Sequence, residues 1–213
     1  MAGRLTKAGD RRKGGQDLNA IGSSAFFVHR GVPCHLQGAA ARLYWRGFGP
    51  ALQFLPTPAR AGAALVTATM NGERALIALS DGGNLVGIAG LRGAAGGFLT
   101  PGIGDFRATF GPVRGLLRYL SSHLHRGGAE TRDLILDGVA VRPPWRERGI
   151  ARALVLAAMD EARRLGHPAL RVEVEARNIA ALATWTALGF QPLDRQNLGW
   201  PWRARAHVLR LPV

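Results

Sequence analysis

Residues 139 to 155 read VAVRPPWRERGIARALV: an apolar run, a proline-stiffened turn, and then Arg146-x-x-Gly149-x-Ala151 leading into a helical pattern. That order of residue types suits a phosphorylated ligand. The first turn of a helix has amide N–H groups without intrahelical partners and a partial positive charge, and a glycine there lets a ligand approach the backbone closely. Arg146 and Arg148 add charge-assisted hydrogen bonds. Taken alone, the segment reads equally well as an ordinary capped amphipathic helix. Other combinations carry less. His123 and His125 stand two apart, positions that share no helical face, with no third ligand adjacent, so no metal site is expected. Cys34 has no identifiable His/Asp partner for nucleophilic work, and Gly102-x-Gly104 is followed by Arg107 where a dinucleotide fingerprint needs its third glycine.

The elements that must hold this turn follow from hydrophobic period. Residues 134–141 form an apolar strand, 147–165 a helix with Ile150, Ala153, Leu154, Ala157 and Ala158 on one face, and 169–176 a strand alternating Leu170, Val172 and Val174 against Arg171, Glu173 and Glu175. Residues 178–188 make a further helix closed by Gly189. Upstream, the pattern predicts a strand at 25–30, helices at 36–48 and 59–70, and a hairpin of 74–80 and 85–91 around Asp81-Gly82-Gly83-Asn84. A glycine-rich loop at 93–104 precedes one or two helical pieces in 105–126 that stop at Gly127-Gly128. Strands at 190–193 and 205–211 flank the loop Gly199-Trp200-Pro201-Trp202.

At 213 residues the chain fits one domain with a terminal extension, and 47% apolar with 20% charged residues excludes wholesale disorder and fibrous repeats. Residues 1–23, rich in Gly, Lys and Arg without hydrophobic period, read as a disordered basic extension, leaving 24–213 as the folded domain. The longest stretch without a formal charge, 178–193, contains Asn, Thr, Gly, Gln and Pro, so no membrane span or membrane partner is expected. A lone cysteine and the lack of an apolar secretory run in the first 20 residues point to the cytoplasm. The net charge is 28 − 14 = +14, and only Lys7 and Lys13 are lysines. The arginines are scattered and not interleaved with aromatics, which favours a solvated surface or a polyanionic small ligand over nucleic acid.

Together these segments resemble the GNAT acetyltransferase superfamily. Its coenzyme-A motif, Arg or Gln-x-x-Gly-x-Gly or Ala after a strand, is matched by Arg146, Gly149 and Ala151. Its second motif, Asn-x-x-Ala-x-x-x-Tyr-x-x-x-Gly-Phe, is matched by Asn178, Ala181, Gly189 and Phe190, with Trp185 in place of tyrosine. The resemblance implies an α/β fold of mixed α+β sheet type: a twisted, mostly antiparallel sheet with one parallel splayed strand pair and helices on both faces. It further implies that Val139, Ala140 and Val141 offer backbone groups to the pantetheine arm of acetyl-CoA, the co-substrate. Arg146, Glu147, Arg148, Gly149, Ile150 and Ala151 would hold the pyrophosphate, and Asn178 and Trp185 would contact the coenzyme from the next helix. No metal is implied.

The implied reaction is N-acetyl transfer to a primary amine of a small molecule or peptide by direct attack in a ternary complex, with a homodimer as the other partnership the family allows. An alkylammonium must lose a proton before attack, which calls for a carboxylate. Glu173 ranks first, because the ribosomal-protein N-terminal acetyltransferases of the superfamily carry their base in a Leu-Glu-Val run before the motif asparagine, and Val172-Glu173-Val174 stands at that spacing. Asp137, on the strand leading into the coenzyme motif, ranks second. The indole of Trp185 has no readily transferable proton, which leaves Tyr44, Tyr119 or water to protonate the thiolate. Two other classes stay open: a non-catalytic acyl-CoA-binding module and, with less behind it, a nucleic-acid-binding protein.

Overall fold

A computed structural model describes residues 26–52, 55–122, 131–197 and 205–213. The extension expected at 1–23, the His123/His125 pair and the Trp200/Trp202 loop lie outside the described residues. The chain runs β1 (Phe26–Arg30), α1 (Gln37–Leu52), α2 (Ala59–Thr69), β2 (Ala75–Ser80), β3 (Leu85–Gly93), β4 (Gly96–Gly97), α3 (Ile103–Phe110) and α4 (Pro112–Ser122). It continues β5 (Leu134–Val141), α5 (Ile150–Leu165), β6 (Ala169–Glu175), α6 (Ile179–Ala187), β7 (Gln191–Asn197) and β8 (Arg205–Pro212). The strands lie in the order β1-β2-β3-β5-β6-β8-β7, with β4 on β3, and every pair is antiparallel except β5–β6. This is the mixed sheet with one parallel pair that the resemblance implied.

Helices cover both faces. On one, Ile150, Leu154, Ala157, Ala158 and Ala162 of α5 pack with Leu136, Leu170, Val172 and Val174, and α6 adds Ala181, Leu182 and Trp185. On the other, Ala40, Ala41, Tyr44 and Trp45 of α1 and Val66 of α2 pack on Ile77, Ile88 and Ala140. Burying a side chain such as Leu154 or Ile150 stabilises by roughly 1.5–3 kcal/mol as an upper estimate. A Cβ on Gly62 of α2 would sit 2.0 Å from the ring of Trp45, so the α1–α2 contact requires glycine there. Arg30 of β1 and Arg164 both pair with the buried carboxylate of Glu161, tying the sheet edge to α5. Among the described residues no helix is long and apolar enough to cross a membrane.

Three expectations need correction. The helix expected from Glu147 begins at Ile150: Glu147 has φ 62° and Gly149 φ 79°, left-handed values that a helix does not accommodate. The loop expected at 93–104 contains β4 and the first turn of α3, because Asp105 accepts a hydrogen bond from the amide of Gly102 at 2.8 Å and caps the helix early. The strand expected at 190–193 begins at Gln191 and extends to Asn197, paired with β8.

Two irregularities of β5 define the middle of the sheet. Its pairing with β6 covers only Leu134↔Leu170, Ile135↔Arg171 and Leu136↔Val172, after which β6 pairs only with β8 and β5 only with β3. Against β3, Gly90↔Gly138 is followed by Leu91↔Leu136, so Asp137 is an extra residue, a β-bulge, where the strands part. Gly138 has φ 156°, and a Cβ there would meet the ring of Phe48 in α1 at 2.4 Å.

Candidate active site

The chain from Arg142 to Gly149 leaves β5 through a single 3-10 turn, Pro143–Trp145, and then curls through left-handed Glu147 and Gly149. Left-handed residues on both sides of Arg148 favour the gathering of successive N–H groups that makes anion-binding concavities. Among the described residues, the amides of Glu147, Arg148 and Gly149 make no backbone hydrogen bond, and α5 has no side-chain cap. The amides of its first turn add to these. A Cβ on Gly149 would meet nothing within 4 Å, so the backbone faces open space. Arg146 donates from Nε to the carbonyl of Val141 at 3.4 Å, and the guanidinium of Arg148 lies 5.0 Å over the Trp145 ring. Among the described residues none of Arg142, Arg146, Arg148 and Arg152 has a carboxylate partner. A diphosphate fits this turn in charge, donor supply and room.

The adjoining opening in the sheet has a polar mouth. Beyond Leu136↔Val172 the next residues are Asp137 and Glu173, one on each diverging strand. Val172 and Val174 belong to the α5 core, so alternation turns Glu173 to the α1 face. Asp137 accepts from Arg92 Nε at 2.7 Å and Glu173 from Arg171 at 3.1 Å. Burial holds the Asp137 carboxyl above the ordinary aspartate range; Arg92 opposes this and the charge of Glu173 adds to it. Val139, Ala140 and Val141 pair with Ala89, Ile88 and Gly87 on one side, and on the side of β6 they have no strand partner. Their outward backbone groups suit an extended, amide-bearing chain laid alongside them.

Tyr44, 2% exposed, donates to the backbone carbonyl of Asp137 at 3.3 Å, and its ring lies 4.9 Å from those of Phe48 and Phe98. Burial, then the charge of Asp137, pushes the phenol well above its ordinary pKa. It is a poor proton donor to a thiolate and a good anchor for the bulge. Tyr119 packs edge-on against Phe106, 5.8 Å between centroids, within the α3–α4 pair. Asn178 caps α6, accepting from the amide of Ala181 at 3.1 Å, which leaves its NH2 group as what it can offer a ligand.

Trp185 packs edge-on against buried Phe190 at 5.1 Å, on the α5 side of the sheet, away from the two carboxylates. Changing Trp185 to Tyr is expected to lower stability by about 1 kcal/mol with no gain in turnover, since an edge-to-face contact and ring volume are lost. Urea unfolding alongside a thiol-release assay reads both; a several-fold faster variant of unchanged stability would make Trp185 a catalytic deficiency instead. Arg92 escaped the sequence reading because its pairing with Asp137 crosses a bulged register. Arg171 was within reach, two residues from Glu173 on one strand face.

The model of the Acetyltransferase (GNAT) family matches residues 39–190. The ribosomal protein bS18-alanine N-acetyltransferase of Escherichia coli strain K12 is 31% identical over 108 residues, covering 45% of this chain and 73% of that one. An N-acetyltransferase from Staphylococcus aureus Mu50 superposes with a TM-score of 0.61 at 14% identity, over 87% of this chain and 100% of the other. A Salmonella typhimurium protein solved with its cofactor acetyl-CoA does so with a TM-score of 0.55 at 16% identity, over 89% and 94%. At these identities the two structures speak for the fold.

Proposed function

We propose, for a chain that belongs to the GNAT acetyltransferase family, that it transfers an acetyl group from acetyl-CoA to the primary amine of a peptide N-terminus, with alanine as the first residue to try. The observation that carries this reading is the parting of β5 and β6 after Leu136↔Val172, with two carboxylates at the parting and an uncapped, arginine-lined turn at the end of the same strand. The choice of alanine rests on the bS18-alanine enzyme, the 31% identical relative.

The residues divide the work by sheet face. The amides of Glu147 to Ala151 and the side chains of Arg146 and Arg148 hold the diphosphate of the coenzyme. The outward edge of Val139 to Val141 aligns its amide-bearing arm so that the thioester lies in the opening. Glu173, with Asp137 beside it, takes a proton from the incoming ammonium, directly or through water. The amine nitrogen then bonds to the acetyl carbon, the carbon–sulfur bond breaks and the thiolate leaves, while the nitrogen, positively charged after attack, gives up its second proton to water or to the departing sulfur. Holding the reactants in line supplies much of the acceleration. A coenzyme thiol is acidic enough to depart without a tyrosine at position 185. The setting is the cytoplasm, where acetyl-CoA and nascent amines meet.

The test is thiol release from acetyl-CoA with peptides opening on alanine, serine or methionine, and with polyamines, aminoglycosides and free amino acids. Release with none of them would sink the enzymatic reading. A second reading, a non-catalytic acyl-CoA sensor, is favoured by the packing of Trp185 and the raised pKa of Tyr44, which deprive the thiolate of an evident acid. Binding of acetyl-CoA without turnover would select it.

A further inference from the structure

Antiparallel neighbours such as β3 and β5 need only a short turn between them, yet the chain builds α3 and α4 there. These helices fasten to the segment between α1 and α2. The guanidinium of Arg118 in α4 donates to the carbonyls of Leu55 at 3.3 Å and Pro56 at 2.7 Å and to the hydroxyl of Thr57. Its cation lies 4.6 Å over the ring of Phe110, the last residue of α3, and Thr57 in turn donates to the carbonyl of Leu55 at 2.9 Å. A planar fork with several donors can fix such a cluster, whereas a lysine can serve only part of it.

The clamped segment matters because of what precedes it. Tyr44 and Phe48 of α1 cover Asp137 and Gly138, on the face of the sheet to which both carboxylates turn. Leu55 to Thr57 follow the end of that same helix. The phosphate-binding turn leads into α5, on the opposite face.

From this we infer that α3 and α4 form the outer wall of the acceptor entrance, and that Arg118 is a positioning residue which sets the affinity for the amine acceptor and not for acetyl-CoA. The inference rests on the acetyltransferase reading given above.

The test compares wild type, Arg118→Gln and Arg118→Lys, with a peptide opening on alanine as the acceptor. Arg118→Gln is expected to raise the KM for the peptide about tenfold and to leave the KM for acetyl-CoA within about twofold, with Arg118→Lys in between. Amide hydrogen exchange over the hydrogen-bonded helices α2 (Ala59–Thr69) and α4 (Pro112–Ser122), which the clamp joins, is expected to quicken in Arg118→Gln while the thermal shift given by acetyl-CoA stays as in wild type. Equal rises in both KM values, or unchanged exchange over α2 and α4, would overturn the inference. If wild type acetylates no peptide, the acetyltransferase reading fails separately: exchange that quickens, with direct binding of the peptide weakened in Arg118→Gln, would still support the clamp, and unaltered peptide binding would refute it.

Discussion

Replacing Gly149 by glutamate is expected to abolish the thermal stabilisation that acetyl-CoA gives the protein. Gly149 has φ 79°, and a Cβ would meet no atom within 4 Å, so the side chain projects into the space assigned to the diphosphate. The left-handed backbone costs a non-glycine residue roughly 1–2 kcal/mol, which a folded domain of this size can bear. The carboxylate would face the ligand's own negative charge among groups arranged to receive an anion. A loss of at least about 100-fold in affinity is expected, as two or more charged hydrogen bonds fail together. Gly149→Ala separates strain from charge and should lose far less. Calorimetry returning wild-type affinity for the glutamate variant would remove the phosphate assignment.

The second large effect is expected at Glu173. Glu173→Gln keeps an acceptor for Arg171 and removes the base, so turnover should fall about 10²- to 10⁴-fold while the affinity for acetyl-CoA barely moves. Asp137→Asn is the informative comparison, because burial has raised that carboxyl and a raised carboxylate is a stronger base. A base must be ionised to accept a proton, so activity falls as pH drops through its pKa. If Asp137 carries the proton, the acidic limb lies above the ordinary aspartate range and disappears in Asp137→Asn. If Glu173 does, the limb persists there and is lost in Glu173→Gln. Full turnover of the Glu173 variant across pH would reverse the ranking of the two.

Regular elements were the most legible part of the sequence. The β2–β3 hairpin and the run from β5 to α6 follow from period and turn chemistry, because each buries one face on a helix or sheet and repeats its apolar residues accordingly. The helix of α5 starts three residues later than its pattern suggests: Glu147 and Arg148 are good helix formers by type, and the left-handed backbone at Glu147 and Gly149 excludes them. The turn proposed to take the diphosphate was legible as a turn into a helix because its residue types are few and local. The partner of Asp137 was not, since Arg92 reaches it across strands 45 positions apart whose register no local pattern encodes. The fastening of α4 to the α1–α2 segment by Arg118 is non-local in the same way.

The extra residue at Asp137 also works as a phase shift within one strand. Before it, the even-numbered Leu134 and Leu136 pack on the α5 side; after it, the odd-numbered Val139 and Val141 do, and even-numbered Ala140 turns to α1. A strand of strict alternation would have sent Ala140 into the α5 core and turned Val139 and Val141 against α1. A single inserted residue thus lets one continuous strand turn a carboxylate to the α1 face and, two residues later, resume apolar packing on the α5 side. Deleting it would remove the carboxylate and leave Gly138 to Val141 on the faces they now occupy, because Leu136 would then pass to Gly138 in regular alternation. Straightening the bulge with Asp137 retained is what would make every residue from Gly138 to Val141 exchange faces.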